Sequence, residues 1–210
     1  MKIYSYVIEH DLGLAPNPFG EFCTLAVCKP QIRKSKNLEI GDWIIGTGSR
    51  SIEKLTSKPY LNHLIYCMKI SEIITLEQYW CDERFQYKKP NTNGSLITMY
   101  GDNFYHKVDD KWQQENSAHS NFDGTTNLKH LKKDTKGKNV LISNIFYYFG
   151  ENAILIPDTL KSVCKNGIGE KIVDEHLSIP FLEWLNDNFD TGIHGNPTNW
   201  IIHNQLNLFT

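Results

Sequence analysis

Runs of apolar and β-branched residues predict several short strands in the first half of the chain. Residues 3–8 alternate β-branched and aromatic side chains, which is typical of a strand. Residues 22–27 predict a short buried strand. It should end before Pro30, because proline has no N–H to donate to the sheet. After a Gly-Asp turn comes the apolar strand 43–46, and we expect the long β-rich run 64–74 to pair with it.

Other segments have the spacing of short helices. Residues 31–38 are basic and form a candidate helix, and residues 76–84 form a second one that carries aromatic side chains. Residues 181–189 predict an amphipathic helix that begins after Pro180. Residues 140–149 have the character of either a strand or a helix.

Two stretches lack periodicity and predict loops. Residues 15–20 contain two prolines, which cannot donate to a ladder and which hold the preceding residues extended. Residues 87–138 are rich in Asn, Gly, Ser, Lys and Asp, with weak strand candidates only at 96–99 and 104–105. A functional loop region and a plain surface insertion both fit this long polar stretch.

These elements predict a single domain over residues 1–210. It would have a barrel-like core at 1–90, a polar loop-rich insertion at 91–138, and C-terminal strands and a helix at 139–210. The composition, with 40% apolar and 22% charged residues, is that of a globular protein with a full core.

Charge and cysteine usage narrow the class of protein. The formal net charge of -2 excludes a global positive field, so contacts with nucleic acid must come from local clusters of Lys and Arg. The five cysteines form no CxxC pair, and the N-terminus lacks the features of a signal peptide, which together favour the cytoplasm. No run of about 18 to 20 apolar residues is present, so we expect no contact with a membrane.

Seven segments carry a pattern that occurs in this order along the chain: SYVIEHDLGLAPNPFGEFCTLAVCKPQIR, GDWIIGTGS, LIYCMKISEIITLEQYWCDERFQYKKP, GDNFYH, the pair His119-Ser120, VLISNIFYYFG and GIHGNPTNW. Together they resemble the Nmad2 family, the second nucleotide-modification-associated domain. The resemblance covers most of the chain and implies a link to DNA base modification. It implies no catalytic residues.

The order of elements in the first ninety residues is also similar to that of PUA and EVE domains, many of which hold a modified base or a structured nucleic acid. This similarity implies an α+β fold, a strand-rich pseudo-barrel with short helices and an elaborated C-terminal half.

Residues 11–33 hold the first candidates for recognition. Asp11 and Asn17 lie in a rigid loop and could read the edge of a base, because a carboxylate accepts from amino groups and an amide both donates and accepts. Their side chains could instead only cap the loop. Lys29 and Arg33 could hold a phosphate. A solvated basic face is the alternative.

Further candidates involve single residues. Cys28 next to a lysine could bind a base or act as a nucleophile, although most such cysteines are small buried hydrophobes. Tyr79 could stack on a base, with Arg84 and Lys88 as exposed charges beside it. His194 lies in a glycine-rich loop that either folds over a site or only ends a helix.

The catalytic candidates are Asp102 and His119. Either could act as a general acid or base, with Asn103 binding a ribose or sugar hydroxyl, while the alternative for the Gly-Asp-Asn turn is an ordinary turn. The histidines match no zinc spacing, so we predict no metal site. The sequence implies no particular cofactor.

Three functions remain open at this level. The first is a module that recognises a nucleotide or a modified, flipped base of a nucleic acid, DNA above all. The second is an enzyme that modifies a base or nucleotide through Asp102 or His119. The third is a protein-interaction component of a phage-defence system or mobile element. The residues do not identify the base, the oligomeric state, or whether the substrate is DNA, RNA or a free nucleotide.

Overall fold

The computed structural model of the protein describes residues 1–203 and has an α+β architecture, as predicted. Its strands are β1 Ile3–Val7, β2 Cys23–Leu25, β3 Trp43–Thr47, β4 His63–Lys69, β5 Glu72–Thr75, β6 Tyr105–Val108, β7 Lys111–Gln114, β8 Asn139–Ser143, β9 Ile145–Tyr148, β10 Ile154–Leu155, β11 Glu170–Val173 and β12 Gly192–Ile193. Its α-helices are α1 Pro30–Arg33, α2 Arg50–Thr56, α3 Leu76–Cys81, α4 Leu96–Met99, α5 Leu128–Thr135 and α6 Glu175–Asn188. Short 3-10 helices cover Glu83–Lys88, Gly150–Asn152, Asp158–Val163 and Thr198–His203. None of the helices in this part of the chain combines the length and the apolarity that a bilayer crossing requires.

The chain divides into two compact units. Among the described residues, the first contains 1–12, 41–69 and 145–203, and the second contains 13–40 and 70–144. Each unit has its own sheet. The PUA-like or EVE-like barrel stays a prediction.

The first unit is built on a mixed sheet in the order β11-β1-β3-β4-β9-β12, with β10 paired to β4. β1 and β3 are parallel. β4 pairs with β3, as the sequence predicted, and runs antiparallel to it. Both faces of β3 are buried, which explains its continuous apolar sequence. Phe181 and Leu185 of α6 are fully buried in the core on this sheet, together with Ile45 and Leu64.

Helix α6 begins earlier than the sequence pattern indicated. Its N-cap is Asp174, and Pro180 lies inside the helix rather than before it. A proline there removes one backbone hydrogen bond. The burial of Phe181 and Leu185 offsets this loss, so tertiary packing overrides the local signal.

The second unit holds the three-stranded sheet β2-β8-β5 and the hairpin β6-β7. The run 64–74 therefore contributes two strands to two sheets, β4 in the first unit and β5 in the second. The hairpin turns at Asp109 and Asp110, whose φ angles of 49° and 60° are those of a tight two-residue turn.

The polar stretch 87–138 contains more regular structure than the sequence indicated. The prediction of a strand at 96–99 was wrong, because Ser95 caps a short helix there, α4, by accepting from the Thr98 amide. The weak strand at 104–105 corresponds to the start of β6. Helix α5, which the sequence reasoning missed, begins at the N-cap Asn127, whose side chain accepts two backbone N–H groups.

Candidate active site: a cysteine, a histidine and an aspartate

Cys28 lies on a strained turn directly after β2 in the second unit. Cys28 and Lys29 have φ angles of 56° and 36°, both in the left-handed region that non-glycine residues rarely occupy. Pro30 then starts α1. Cys28 is half-buried, unlike the buried cysteines of the core. Backbone strain of this kind costs about 1–3 kcal/mol per residue and concentrates at functional sites.

His119 and Asp134 complete a chain of polar contacts from this thiol. The Cys28 Sγ lies 3.7 Å from His119 Nε2, and His119 Nδ1 donates to Asp134 Oδ2 at 2.8 Å. Asp134 is fully buried on α5, and His119 is almost buried. A nucleophile, a base and a carboxylate that orients the base are the elements of a catalytic triad.

Both oxygens of the Asp134 carboxylate accept hydrogen bonds, which fix its orientation. Its Oδ1 accepts from the Cys28 backbone N–H at 2.9 Å, and its Oδ2 accepts from the Tyr105 hydroxyl at 3.0 Å in addition to His119. The same carboxylate therefore orients the imidazole and holds the strained backbone of the nucleophile.

The charges in this cluster support proton transfer to His119. Burial by itself would lower the pKa of His119, but the hydrogen bonds with Asp134 and Cys28 outweigh it and raise the pKa to about 9. Burial opposes the ionised form of Asp134, yet its bond with His119 holds the pKa of the carboxyl below the ordinary value. With this pKa, His119 carries a proton at neutral pH and lies as an imidazolium next to the Cys28 thiol.

We expect this pair to make stability depend on pH. Because the folded-state pKa of His119 lies above 6.5, its stabilising contribution is fully present below pH 6.5 and is lost as the pH rises through about 9. Its full size is on the order of 3 kcal/mol. Urea unfolding from pH 6 to pH 10 should show this loss in the wild type and not in His119→Asn. Parallel curves for the two proteins would contradict it.

The Arg33 side chain links the turn at Cys28 to the end of α5 through hydrogen bonds. The side chain is fully buried, and its guanidinium donates to the carbonyl oxygens of Cys28 at 2.8 Å, Asn139 at 2.8 Å and Asp134 at 2.6 Å. Burial lowers its pKa. We predicted a phosphate-binding Arg33 on an exposed basic edge, but the structure places it inside, with its donors directed to backbone. Lys29, the other half of that pair, is the half-buried N-cap of α1.

Aromatic rings surround the imidazole. The Phe104 ring meets His119 edge-on at 5.7 Å between centroids, and the His130 ring lies 4.3 Å away. Burial and the neighbouring His119 lower the pKa of His130. The imidazole of His119 is therefore held by packing as well as by Asp134.

The same three residues have the composition of a metal site. One ligand atom from each of Cys28, His119 and Asp134 lies within 4.8 Å of the others, and thiolate, imidazole and carboxylate are ligands of Zn²⁺. The sequence showed no zinc spacing because Cys28 is 91 residues from His119. Because both oxygens of Asp134 already accept hydrogen bonds, we favour a role in orienting His119 over a role as a metal ligand.

Asp102, the other predicted catalytic residue, belongs to a separate buried cluster in the second unit. Its carboxylate accepts from the hydroxyls of Thr24 and Tyr79, both at 2.7 Å. Lys88 donates to the side-chain and backbone oxygens of Asn17 at 2.7 and 3.0 Å. Burial raises the pKa of Asp102 and lowers that of Lys88 to about 8.

This cluster explains the positions of several residues that we predicted to bind a base. Tyr79, Lys88 and Asn17 are buried, so Tyr79 has no exposed face for stacking and Lys88 is not a surface charge. Asn103 is buried too and donates to the carbonyl oxygens of Tyr79 and Phe85. Arg84 is exposed and forms ion pairs with Asp82 and Glu72.

Asp11 and His194 belong to the first unit. Asp11 is buried and accepts from the Tyr148 hydroxyl at 2.5 Å and the Thr198 N–H at 2.9 Å. These two partners lie 137 and 187 residues away along the chain, whereas the loop-capping alternative considered from the sequence involves local backbone bonds. His194 stacks on Phe149 at 4.9 Å and contacts the Asp190 carbonyl.

Asp134 and Tyr105 are the site residues that sequence reasoning missed. Asp134 is the single acidic residue between Asn127 and Lys138. The signal available in the sequence was an isolated acidic residue in a lysine-rich segment.

The chain was compared with known proteins. A family model described as nucleotide modification associated domain 2 matches residues 1–204. Comparisons with curated proteins and with solved structures found no significant match.

Proposed function

Because the chain belongs to the nucleotide modification associated domain 2 family, we propose that it is an enzyme that modifies a nucleotide or base by covalent attack of the Cys28 thiol. The observation that carries this proposal is the chain of contacts from Cys28 through His119 to Asp134 within one compact unit. The link to nucleotides comes from the family. The predicted role in phage defence stays a prediction.

Each residue has a distinct role in the proposed reaction. His119 is the imidazolium beside the nucleophile, and the Cys28 Sγ, as its thiolate, forms a bond to an electrophilic ring carbon of the base. The π-electron pair displaced from that carbon takes up the proton held by His119, so the step needs no oxidant or reductant. Asp134 stabilises the imidazolium and keeps its ring aimed at the thiol.

This assignment keeps one residue of the enzyme hypothesis and replaces another. His119 remains the acid–base residue. Asp102 is only 1% exposed and bonded to two hydroxyls, so a substrate has no direct access to its carboxylate. The half-buried Cys28 supplies the reactive group instead.

Brominated nucleotides test the proposal directly. We suggest incubating the protein with 5-bromopyrimidine and 8-bromopurine nucleotides, and with short DNA strands that contain them, followed by intact-mass and peptide mass spectrometry. The thiolate displaces bromide, so the expected product is a nucleotide joined to Cys28 with loss of HBr. Cys28→Ser should form no adduct, whereas Cys81→Ser, which removes an exposed cysteine, should behave as the wild type.

Labelling of Cys28 and Cys81 at equal rates, or an adduct that persists in Cys28→Ser, would overturn the proposal.

Metal binding is a second candidate function, favoured by the proximity of the three ligand atoms. Zinc bound with an affinity that drops in each of Cys28→Ser, His119→Asn and Asp134→Asn would support it over the triad.

A further inference from the structure

Helix α5 carries a row of exposed lysines on the element that supplies Asp134. Lys129, Lys132, Lys133 and Lys136 follow the spacing i, i+3, i+4, i+7, which places them on adjacent positions of the helix and its C-cap. All four are exposed, as is Lys138 beyond them. Within residues 1–203, no ion pair involves any of these five lysines.

This row is a local positive field in a chain whose net charge is -2. The single acid of the helix, Asp134, is buried and bonded to His119, so it does not neutralise the lysines at the surface. Like charges four residues apart destabilise a helix by about 0.2–0.5 kcal/mol per pair. In the part of the chain that the structure describes, the lysines form no ion pairs and repel one another, so a polyanionic partner would stabilise them.

The turn before the helix presents an aromatic ring to solvent. Phe122 is fully exposed, which leaves its apolar surface unburied. Hydrogen bonds hold the turn in place: the Asn121 N–H donates to the Thr125 carbonyl at 2.9 Å, and the Gly124 N–H donates to the Asn121 carbonyl at 2.9 Å. The Asn121 side chain adds a bond to the Thr125 hydroxyl at 3.0 Å. The exposure of Phe122 is therefore built into an ordered turn.

One continuous segment joins these features to the candidate active site. His119 precedes Phe122 by three residues, the N-cap Asn127 follows, and the lysine row surrounds Asp134 on the next element. The Asn127 N–H donates to Gln114 of β7 at 2.8 Å, which ties the segment to the hairpin.

We infer that residues 119–138 bind a single strand of nucleic acid, with the α5 lysines on its phosphates and Phe122 stacked on a base near Cys28. This inference rests on the proposed function and narrows its substrate from a free nucleotide to a polynucleotide. Stacking on an aromatic ring beside a basic track is the general way in which single strands are held.

Fluorescence anisotropy with a labelled, mixed-sequence DNA strand of about 12 nucleotides tests the inference, since this length lies within known site sizes. The triple variant Lys129→Gln, Lys132→Gln, Lys133→Gln should reduce the slope of log affinity against log salt by about 2, at roughly 0.7 per phosphate contact. Phe122→Ala should weaken binding roughly 5- to 100-fold. The matched controls are Lys54→Gln with Lys58→Gln on exposed positions of the first unit, and Ile168→Ala at another exposed apolar position.

The outcomes separate this inference from the proposed function. Cys28→Ser should bind the strand as the wild type does, and the lysine variant should keep the wild-type rate of Cys28 alkylation by iodoacetamide. An unchanged salt slope in the lysine variant, an equal loss in the controls, or equal competition by dCMP would overturn strand binding while leaving the thiol centre standing. Loss of selective Cys28 reactivity with strand binding intact would overturn only the proposed function.

Discussion

Replacing His119 with asparagine should slow the alkylation of Cys28 by iodoacetamide at neutral pH by about 10²-fold or more, within the range that a positioned acid–base residue contributes. His119 Nε2 lies 3.7 Å from the thiol, and asparagine, unlike an imidazolium, supplies no positive charge to stabilise the thiolate. Peptide mass spectrometry at timed intervals would give the rate for each cysteine. Cys81 is exposed in the same protein and provides an internal reference.

His106→Asn is the matched control. His106 also lies in the second unit and pairs with a carboxylate, Glu115, at 2.7 Å, but no hydrogen bond links it to Cys28 within residues 1–203. Its replacement should leave the alkylation rate unchanged. If His119→Asn and His106→Asn give the same rate, the proposed role of His119 in activating the thiol is wrong.

Replacing Arg33 with methionine should lower the free energy of unfolding by about 3–5 kcal/mol, because buried carbonyl oxygens lose a charged donor. The carbonyl of Cys28 is one of them, so the strained turn should loosen and Cys28 alkylation should slow as well. Urea unfolding and the alkylation rate measure the two effects. Lys34→Met, which removes the neighbouring exposed cation, should change the free energy of unfolding by less than about 0.5 kcal/mol.

Gly137→Ala provides a second route to the same result without removing a charge. A Cβ atom at Gly137 would lie 2.4 Å from the Arg33 Cζ, so the guanidinium must shift. We expect about 1–3 kcal/mol of destabilisation, which is typical of overpacking, and slower Cys28 alkylation. Loss of stability with an unchanged alkylation rate in both variants would limit Arg33 to a structural role.

Several features of the fold follow from local sequence patterns. β1 and β3 are rich in β-branched and aromatic residues, and β4, which pairs with β3, is apolar from Leu64 to Met68. The predictions fail where a cap or a distant contact decides the structure. Ser95 starts a helix in a segment with strand propensity, and α6 continues through Pro180 because the residues after it fill the core.

The candidate site was only partly visible in the sequence. Cys28 and His119 were chosen for separate reasons, as a cysteine beside a lysine and as a histidine beside a serine. Arg33 was assigned to phosphate because charge predicts exposure, and only the structure shows its carbonyl partners at Asn139 and Asp134, more than a hundred residues away along the chain.

The sequence by itself determined the α+β class, the family, and the reactive side chains that a site can use. Only the tertiary structure decided which of them meet: it joins Cys28 to His119 and Asp134 and buries Asp102 with Tyr79. The physical reason is the separation along the chain of the residues that interact. Strand and helix periodicity is local and can be read from a few residues, whereas hydrogen bonds and pKa values depend on groups that only folding brings within a few ångströms.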